Sequence, residues 1–456
     1  MNNLEGRRHS DSSGPTVDEK HPIDIYSIHE INAGRLVLDL AQARTEFPEE
    51  ISSRLKTSKD GKYILWPQPT DDPKDPQNWS DRRKNFQLFI VILASILSDF
   101  DAAIGIPAVF DLAKQFGKTT TQINDIVQNW SIFVAGCGGL LLVPFVRKYG
   151  RLSGLFWTQL LSLGFLVGAT LAPNLKTFAA MRVLTAFFGS CPQTIGLYII
   201  TDMFPFHLHA QKINLWTMAA VLSPHLSPFL FGFLVARQSW RWAFAVGCFF
   251  GLAVMLLITF FLDESLYIRS HWKPSLVERD VRTGISAQAS GRIRDLVGIT
   301  GFQSARPEPT WGEVLSAPFK LVWRPHLLLI LIFESAVFGF GIGINVTNTV
   351  FLRSPRPFGF GLDSTTVSWI YATPVVSIFV GLFLGRYLND WIVIREMQRK
   401  HGVHEAEARL WTCYIGVLMY AVGFVILGVA LQDHLNISAL IIGWGIAQAA
   451  VLEADV

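Results

Sequence analysis

Ten apolar runs, each long enough to cross a lipid bilayer, lie between about residues 85 and 456 and are separated by short polar connections. A hydrocarbon core roughly 30 Å thick requires about 20 helical residues per crossing. Only 16% of the residues are charged, whereas a soluble domain averages about 25%. Few soluble folds accommodate so much continuous apolar helix, so the sequence predicts an all-α, polytopic membrane protein.

The apolar runs form a set of six and a set of four, with a long polar stretch between them. We predict spans at about 86–110, 126–146, 152–172, 178–200, 212–235, 241–262, 326–350, 366–388, 410–431 and 437–454. The predicted domains are a cytoplasmic, largely disordered segment (1–80), a six-helix bundle (81–262), a cytoplasmic linker (263–324) and an incomplete, four-helix second bundle (325–456).

Lysine and arginine residues concentrate on one side of the predicted membrane, the side that carries the linker. Such residues mark the cytoplasmic side of a membrane protein. The bias therefore predicts a cytoplasmic N-terminus and linker and, with an even number of spans, a cytoplasmic C-terminus. We expect the plasma membrane as the location, with the vacuolar membrane as the alternative.

No motif indicates a catalytic centre. Gly117-Lys118-Thr119 resembles the end of a P-loop, but Leu112 occupies the position of the required glycine. The four cysteines lie in four different apolar runs, without the spacing of metal ligands, and a net charge of +3 is too small to indicate nucleic acid. We expect no enzyme activity, cofactor, metal, nucleic acid or obligate protein partner; the expected partners are lipid, protons and a small organic substrate.

The turn after the second span carries a motif. Arg147-Lys148-Tyr149-Gly150-Arg151 resembles the loop motif Gly-x-x-x-Asp-Arg-x-Gly-Arg of the major facilitator superfamily, with Val143 in place of the first glycine and Arg147 in place of the aspartate. A weaker copy, from Gly385 to Asp390, is predicted at the turn between spans eight and nine.

Other residues are similar to the fungal drug:proton antiporter branch of that superfamily. Asp75-Pro76-Gln77-Asn78-Trp79 precedes span one, and span five carries Pro224, Pro228 and Gly232 in the spacing of the antiporter motif Gly-Pro-x-x-x-Pro-x-x-x-Gly, with Ser223 in place of the first glycine. The resemblance implies two pseudo-symmetric helical bundles with substrate bound between them near mid-membrane. Members have twelve spans, so ten spans suggest a truncated gene model, a splice form or a decayed transporter.

Ionisable residues inside the predicted spans each cost at least ~2.5–3.5 kcal/mol to insert. At ~1.5 Å of rise per residue, Asp101 in span one and Arg182 in span four lie at a similar depth, and the resemblance places these spans side by side. We predict an Asp101–Arg182 ion pair, with Asp99 directed towards the cavity. The pair either opens and reforms as a proton arrives or is a static link between two helices.

Two further titratable residues, His225 in span five and Glu334 in span seven, lie near mid-depth. An imidazole with an ordinary pKa near 6.5 suits a proton sensor, although a neutral His225 bonded to a carbonyl freed by a neighbouring proline explains it as well. A carboxylic acid such as Glu334 is retained most easily at this depth in its neutral form. We therefore place both residues on the candidate proton pathway.

Each of the remaining candidates is a polar residue that two different roles explain. Amide side chains in the spans either contact substrate or bond helix to helix; they are Gln159, Gln193, Asn345 and Asn348. The cations Arg147, Lys148 and Arg151 either bridge to Asp202 or a neighbouring helix end, which would lock the outward-open state, or only set the orientation by their charge.

The predicted function is secondary active transport, with proton-coupled efflux of small organic molecules such as drugs or secondary metabolites as the leading hypothesis. The proline and glycine pattern of span five favours antiport. The fold alone does not separate this from proton-coupled nutrient uptake. A non-transporting remnant or receptor-like protein is the third hypothesis.

Overall fold

The computed structural model describes residues 39–267, 269, 285–299, 310–399 and 410–454. Within these ranges the chain is helical and contains two isolated β-bridges. Nine of the described helical segments are long and apolar enough to cross a membrane, and the shorter apolar helix Ile437–Ala454 follows them. The predicted all-α membrane architecture is confirmed.

The helices follow one another with short connections and differ from the predicted spans mainly at their ends. In chain order they are α1 (Leu40–Glu46), α2 (Glu49–Ser52), α3 (Asp81–Ala103), α4 (Val109–Phe116), α5 (Thr120–Tyr149, with a π-helical turn at Asp125–Asn129), α6 (Arg151–Thr170), α7 (Leu175–Gly189), α8 (Cys191–Met203), α9 (Phe206–Val235), α10 (Trp240–Phe261), α11 (Ile285–Val297), α12 (Trp311–Val322), α13 (Pro325–Arg353), α14 (Ser364–Ile370), α15 (Ala372–Arg399), α16 (Leu410–Gln432) and α17 (Ile437–Ala454).

Prolines account for three departures from the predicted spans. Span one was expected to reach residue 110, but α3 ends at Ala103, four residues before Pro107, because proline has no N–H to bond the carbonyl four residues earlier and its ring clashes with that carbonyl. Span four is divided between α7 and α8, and Pro192 lies in the first turn of α8, where proline is tolerated. Span eight is divided between α14 and α15, ahead of Pro374.

The second copy of the loop motif is not a turn. Residues Gly385 to Asp390 lie inside α15, which continues to Arg399. The apolar residues Trp391 to Ile394 follow the motif without a proline, so nothing in the local sequence ends the helix there. The prediction of a turn at this position is wrong.

Residues 39–80 are folded, which corrects the expectation of disorder for that part of the N-terminal segment; residues 1–38 lie outside the described residues. Antiparallel bridges join Asp39 to Tyr63 and Thr57 to Ile64. A small core forms beneath them from Ala43, Leu55, Ile64 and Trp66. The carbonyl of Trp66 accepts from the amide of Phe206 at 2.8 Å, which fixes this segment to the start of α9.

We call α3–α10 the N-terminal bundle and α13–α17 the later helices. The linker end of the molecule carries the turn between α5 and α6 together with α11 and α12; the far end is the opposite one. Two apolar cores fill the linker and far halves of the N-terminal bundle. A third core joins Ala103 and Ile106 to Leu352, Tyr371 and Trp444. The two sets of helices are therefore packed together towards the far end.

Candidate functional site

A cavity of about 140 Å³ lies between the N-terminal bundle and the later helices. Its lining is mostly apolar, with side chains such as Ile132, Val221 and Phe338. Six side chains in the lining are polar or ionisable: Asp99, Gln128, Gln193, His225, Asn345 and Gln448. An apolar cavity with a few placed polar groups is typical of a small-molecule site.

Asp99 is the one carboxylate in the cavity lining, and no lysine or arginine of the described residues accompanies it there. Nε2 of Gln193 donates to Oδ2 of Asp99 at 2.5 Å. The structure thus brings together one predicted proton-pathway residue and one predicted substrate residue. The acid faces the space where a substrate would bind, with a neutral amide as its hydrogen-bond partner.

His225 bonds across the interface between the two sets of helices. Its Nδ1 lies 3.1 Å from Oδ1 of Asn345, and Nδ2 of Asn345 donates to the carbonyl of Pro224 at 3.1 Å. Pro228 has no N–H, so the Pro224 carbonyl lacks its partner within α9. Asn345 satisfies the carbonyl that Pro228 frees, and His225 bonds to Asn345 rather than to a freed carbonyl.

Two aromatic residues, Tyr371 and Trp444, position Asn345 and its partner His225. The hydroxyl of Tyr371 donates to the carbonyl of Asn345 at 2.7 Å and lies 3.0 Å from Oγ1 of Thr349. The Trp444 ring packs edge-on against both His225 and Tyr371. Gln128, Gln448 and Tyr371 were not predicted as site residues, although each is a polar residue inside an apolar run, which is the signal that identified Asn345.

Arg182 does not form the predicted ion pair with Asp101 within the part of the chain that the structure describes. Its guanidinium donates to the carbonyls of Asp101 (2.7 Å), Ala102 (2.7 Å) and Val127 (3.2 Å). The last carbonyls of a helix have no partner within it, and α3 ends at Ala103. Arg182 therefore caps the C-terminus of α3, where the helix dipole favours a cation.

The carboxylate of Asp101 lies next to this arginine but is not bound by it. Its Oδ1 and the Nε of Arg182 are buried and have no hydrogen-bond partner among the described residues. A separate cavity of about 10 Å³ lies beside them and is also lined by Gln159 and Ser162. Since about this volume accommodates one water molecule, the arrangement suits a water between the Asp101 carboxylate and the Arg182 guanidinium.

Not every predicted site residue faces the central cavity. Gln193 and Asn345 line it, whereas Gln159 lines the smaller cavity. Asn348 is fully buried, and neither atom of its amide has a hydrogen-bond partner in the described ranges. Glu334 is half-buried on α13, outside the lining of both cavities.

The predicted bridge from Arg151 to Asp202 is present at the linker end. Nε of Arg151 lies 3.2 Å from Oδ2 of Asp202, an ion pair by distance although the atoms are not aligned for a hydrogen bond. Glu264 accepts from the amides of Arg151 (2.9 Å) and Leu152 (3.0 Å) and so caps the N-terminus of α6. Gly150 has φ of +114°, and a Cβ there would lie 2.5 Å from Oε2 of Glu264, so only glycine fits this turn.

The neighbouring loop cations have different surroundings. Nζ of Lys148 lies 4.8 Å from the centre of the Trp311 ring, and Arg147 is exposed. Neither residue has a carboxylate within 4.0 Å among the residues described. Of the three predicted loop cations, only Arg151 forms the expected bridge.

In span five, Pro224 and Pro228 lie inside α9, which stays helical from Phe206 to Val235. Gly232, one turn further, lies against Ser368 of α14. Rings of the same two helices also meet here: Phe233 and Trp369 have centroids 5.1 Å apart. The antiporter-like motif therefore forms part of the contact between the two sets of helices at the far end.

Comparison with known proteins agrees with this architecture. The chain is 25% identical over 354 residues to MFS transporter fsa7 of Fusarium sp. (strain FN080326), covering 77% of this chain and 66% of that protein. It is 23% identical over 459 residues to the efflux pump radE of Floropilus chiversii, covering 96% and 80%. The fold matches the partially occluded, inward-open xylose transporter XylE of E. coli with a TM-score of 0.53 at 16% identity, covering 81% and 84%.

The family comparison covers most of the chain. The family model described as Major Facilitator Superfamily matches residues 91–453, a range that begins within α3 and ends within α17. It includes both sets of helices, the central cavity and the network at the linker end. The chain belongs to the major facilitator superfamily and is a multi-pass membrane transporter of the fungal type.

Proposed function

We propose that this protein is a proton-coupled exporter of small hydrophobic molecules, with its linker and both termini on the cytoplasmic side of the plasma membrane. The observation that carries the proposal is the central cavity, in which Asp99 is the one carboxylate among the described residues of a largely apolar lining. A substrate for such a site is apolar over most of its surface and either neutral or cationic. The similarity of the chain to radE, an efflux pump, supports export over uptake.

Asp99 is the residue we assign to proton coupling. It faces the cavity, so a substrate and a proton would meet the same carboxylate. When the carboxylate takes up a proton it loses its charge and gains a donor, which changes its bond to Gln193 and its attraction for a cationic substrate. Competition between substrate and proton for one acid is the simplest basis for their exchange.

The arrangement of the helices supports an inward-facing state in this orientation. The two sets of helices contact each other at the far end, where Nη1 of Arg353 donates to the carbonyl of Pro107 at 3.1 Å and Gly232 meets Ser368. The far end is then the outer side of the membrane. Opening it requires these contacts to separate while the linker end closes.

The full chain reconstituted in liposomes tests this function with rhodamine 6G, a hydrophobic cation, as the probe. An inside-acidic gradient should drive dye into the vesicles through an antiporter. Asp99→Asn should reduce this uptake at least tenfold, because an amide cannot exchange a proton in this range. Asp433→Asn, which removes an exposed acid at the far end, should leave it unchanged.

Two results would overturn the proposal. Dye uptake driven only by an outside-acidic gradient would show symport and favour nutrient uptake. An Asp99→Asn variant with wild-type dependence on the gradient would exclude Asp99 as the coupling acid.

A further inference from the structure

A second cavity lies on the outer surface of the N-terminal bundle, away from the central cavity. It is a groove of about 550 Å³ between α5 and α6. Its walls are apolar and aromatic side chains, including Leu142, Phe145, Trp157 and Leu161, and Phe188 of α7 forms its floor. The groove is distinct from the candidate transport site because the two share no lining residue.

The groove has the depth of one membrane leaflet. It begins at the linker end beside Tyr149 and Ser153 and reaches Leu161. At ~1.5 Å per residue, Leu161 lies about 15 Å along α6 from its first residue, Arg151. The hydrocarbon of one leaflet is about half of ~30 Å. A lipid chain lying in the groove would therefore span the leaflet on the linker side.

Residues of the linker line the groove at its mouth. Val297, Gly298 and Ile299 form part of the lining, and Nε1 of Trp157 donates to the carbonyl of Val297 at 3.4 Å. Arg292 anchors α11 by donating to the carbonyls of Ile258 and Thr259, each at 3.0 Å. These contacts hold α11 and the linker residues after it against the N-terminal bundle at the mouth of the groove.

The last turn of α5, which ends at the groove-lining Tyr149, carries two cations, Arg147 and Lys148, that have no acidic partner in the described ranges. Arg151 is paired with Asp202, and Arg292 lies 3.6 Å from Asp263, whereas Arg147 and Lys148 have no carboxylate within 4.0 Å among the described residues. Lys148 stacks on Trp311, and the Trp311 ring packs against Phe145 and Tyr149, which line the groove.

We propose that this groove binds one anionic phospholipid, with an acyl chain between α5 and α6 and its phosphate at Arg147 and Lys148. The apolar walls account for the chain, and the unpaired positive charge accounts for the preference for an anionic headgroup, since basic pockets between membrane helices bind such lipids. The bound lipid would join the turn between α5 and α6 to the linker. The proposal stands apart from the proposed transport function.

Lipid titration of the purified full chain in detergent, followed by native mass spectrometry, tests the proposal. The probes are phosphatidylserine and phosphatidylcholine with identical acyl chains. We expect phosphatidylserine to bind about tenfold more tightly. Joint replacement Arg147→Ala and Lys148→Ala should remove this preference, whereas Lys176→Ala with Arg237→Ala, two exposed cations at the far end, should retain it.

A second variant separates lipid binding from binding of a free headgroup. Leu161→Trp fills the groove without changing the charge, and it should weaken the binding of both lipids at least fivefold. Glycerophosphoserine, which has the headgroup but no chains, should not displace the lipid at equal concentration. Circular dichroism and gel filtration confirm that each variant is folded. Equal affinity of the wild type for both lipids, or an unchanged preference in the Arg147 and Lys148 variant, would refute the site.

Discussion

At the scale of single residues, Arg182 shows how a buried cation is accommodated without an anion. Three backbone carbonyls surround its guanidinium, and the Phe244 ring lies 5.4 Å away. Two of the carbonyls belong to the end of α3 and one to the π-helical turn of α5. Arg182 therefore joins three helices, and Asp101 is left able to change its protonation without releasing the arginine.

This arrangement predicts different effects for the two residues. Arg182→Ala removes the donor from three buried carbonyls and should lower the free energy of unfolding by about 3 kcal/mol or more, because bonds to charged donors contribute about 1.5–3 kcal/mol each. Asp101→Asn leaves those bonds intact and should cost less than about 1 kcal/mol. Thermal unfolding in detergent micelles measures both.

An ion pair would give a different pattern. Removal of either partner of a buried pair costs about 3–5 kcal/mol, so similarly large losses for Arg182→Ala and Asp101→Asn would contradict the capping geometry. Arg237→Ala, at an exposed position in the far-end loop, is the control and should unfold with the wild type.

The depth of Asp101 and Arg182 was predictable because helical rise converts residue number into height. The contact between them was not, since it depends on where α3 ends. In a helix that continued to residue 110, the carbonyls of Asp101 and Ala102 would be bonded within the helix. The helix ends at Ala103, so those carbonyls are free and Arg182 takes them in preference to the carboxylate.

At the scale of elements, the folded N-terminal segment (residues 39–80), which we call the strap, packs across the linker end. Asp75, fully buried, pairs with Arg269 at 3.0 Å and accepts from Thr70 and Gln77. The hydroxyl of Tyr267 donates to Asp72 at 3.0 Å, and burial raises the pKa of Tyr267 to about 12, so this donor keeps its proton at physiological pH. The strap ties the residues before α3 to those after α10.

Asp75→Asn should therefore destabilise the protein by about 3 kcal/mol, because it breaks a buried ion pair and leaves Arg269 uncompensated. Asp71→Asn is the matched control: Asp71 pairs with Lys56 at 2.6 Å but is 72% exposed, and a surface pair contributes about 0–1 kcal/mol. Fluorescence-detected thermal unfolding compares the two. Equal stability of both variants would show that the strap does not hold the linker end.

The contact between α9 and α14 supplies a second prediction for an element. Gly232→Ala places a methyl group against Ser368, closer than its side-chain oxygen allows, so the far end should close less well. Dye transport should fall several-fold, and the distance between spin labels at Arg237 and Phe358 should increase. Gly136→Ala, where a Cβ meets nothing within 4 Å, is the control.

A second substitution should rescue the Gly232→Ala variant. Combining Gly232→Ala with Ser368→Gly removes the side chain that the new methyl group would meet, and the double variant should restore transport. A Gly232→Ala variant with wild-type transport and label distance would show that this contact does not limit closure.

The sequence identified four amides within the spans as candidates, but it did not predict which way each one faces. Gln193 and Asn345 line the cavity, whereas Gln159 and Asn348 do not, because polarity within an apolar run indicates burial against protein without identifying the neighbour. Segment 39–80 was missed for another reason: its contacts, such as Trp66 with Phe206, join residues far apart in sequence and leave no local periodicity.

At the scale of the whole molecule, the two sets of helices are packed together at the far end, and the proposed orientation makes this an inward-facing state. A cysteine at Val221, in the cavity lining, should react with a membrane-impermeant thiol reagent applied from the linker side in a variant whose four native cysteines are replaced. A cysteine at Phe358, 82% exposed at the far end, should react from the opposite side. Labelling of both positions from one side only would contradict this state.

The bond between Asn345 and the Pro224 carbonyl bears on how such a protein can be recombined. One half of the molecule contains a helix in which proline frees a carbonyl oxygen, and this oxygen accepts from an amide contributed by the other half. A chimera that joins the first six crossings to the corresponding partner from a relative needs a donor at this one position, or it leaves a bare acceptor in the membrane. The halves are thus matched components rather than exchangeable modules.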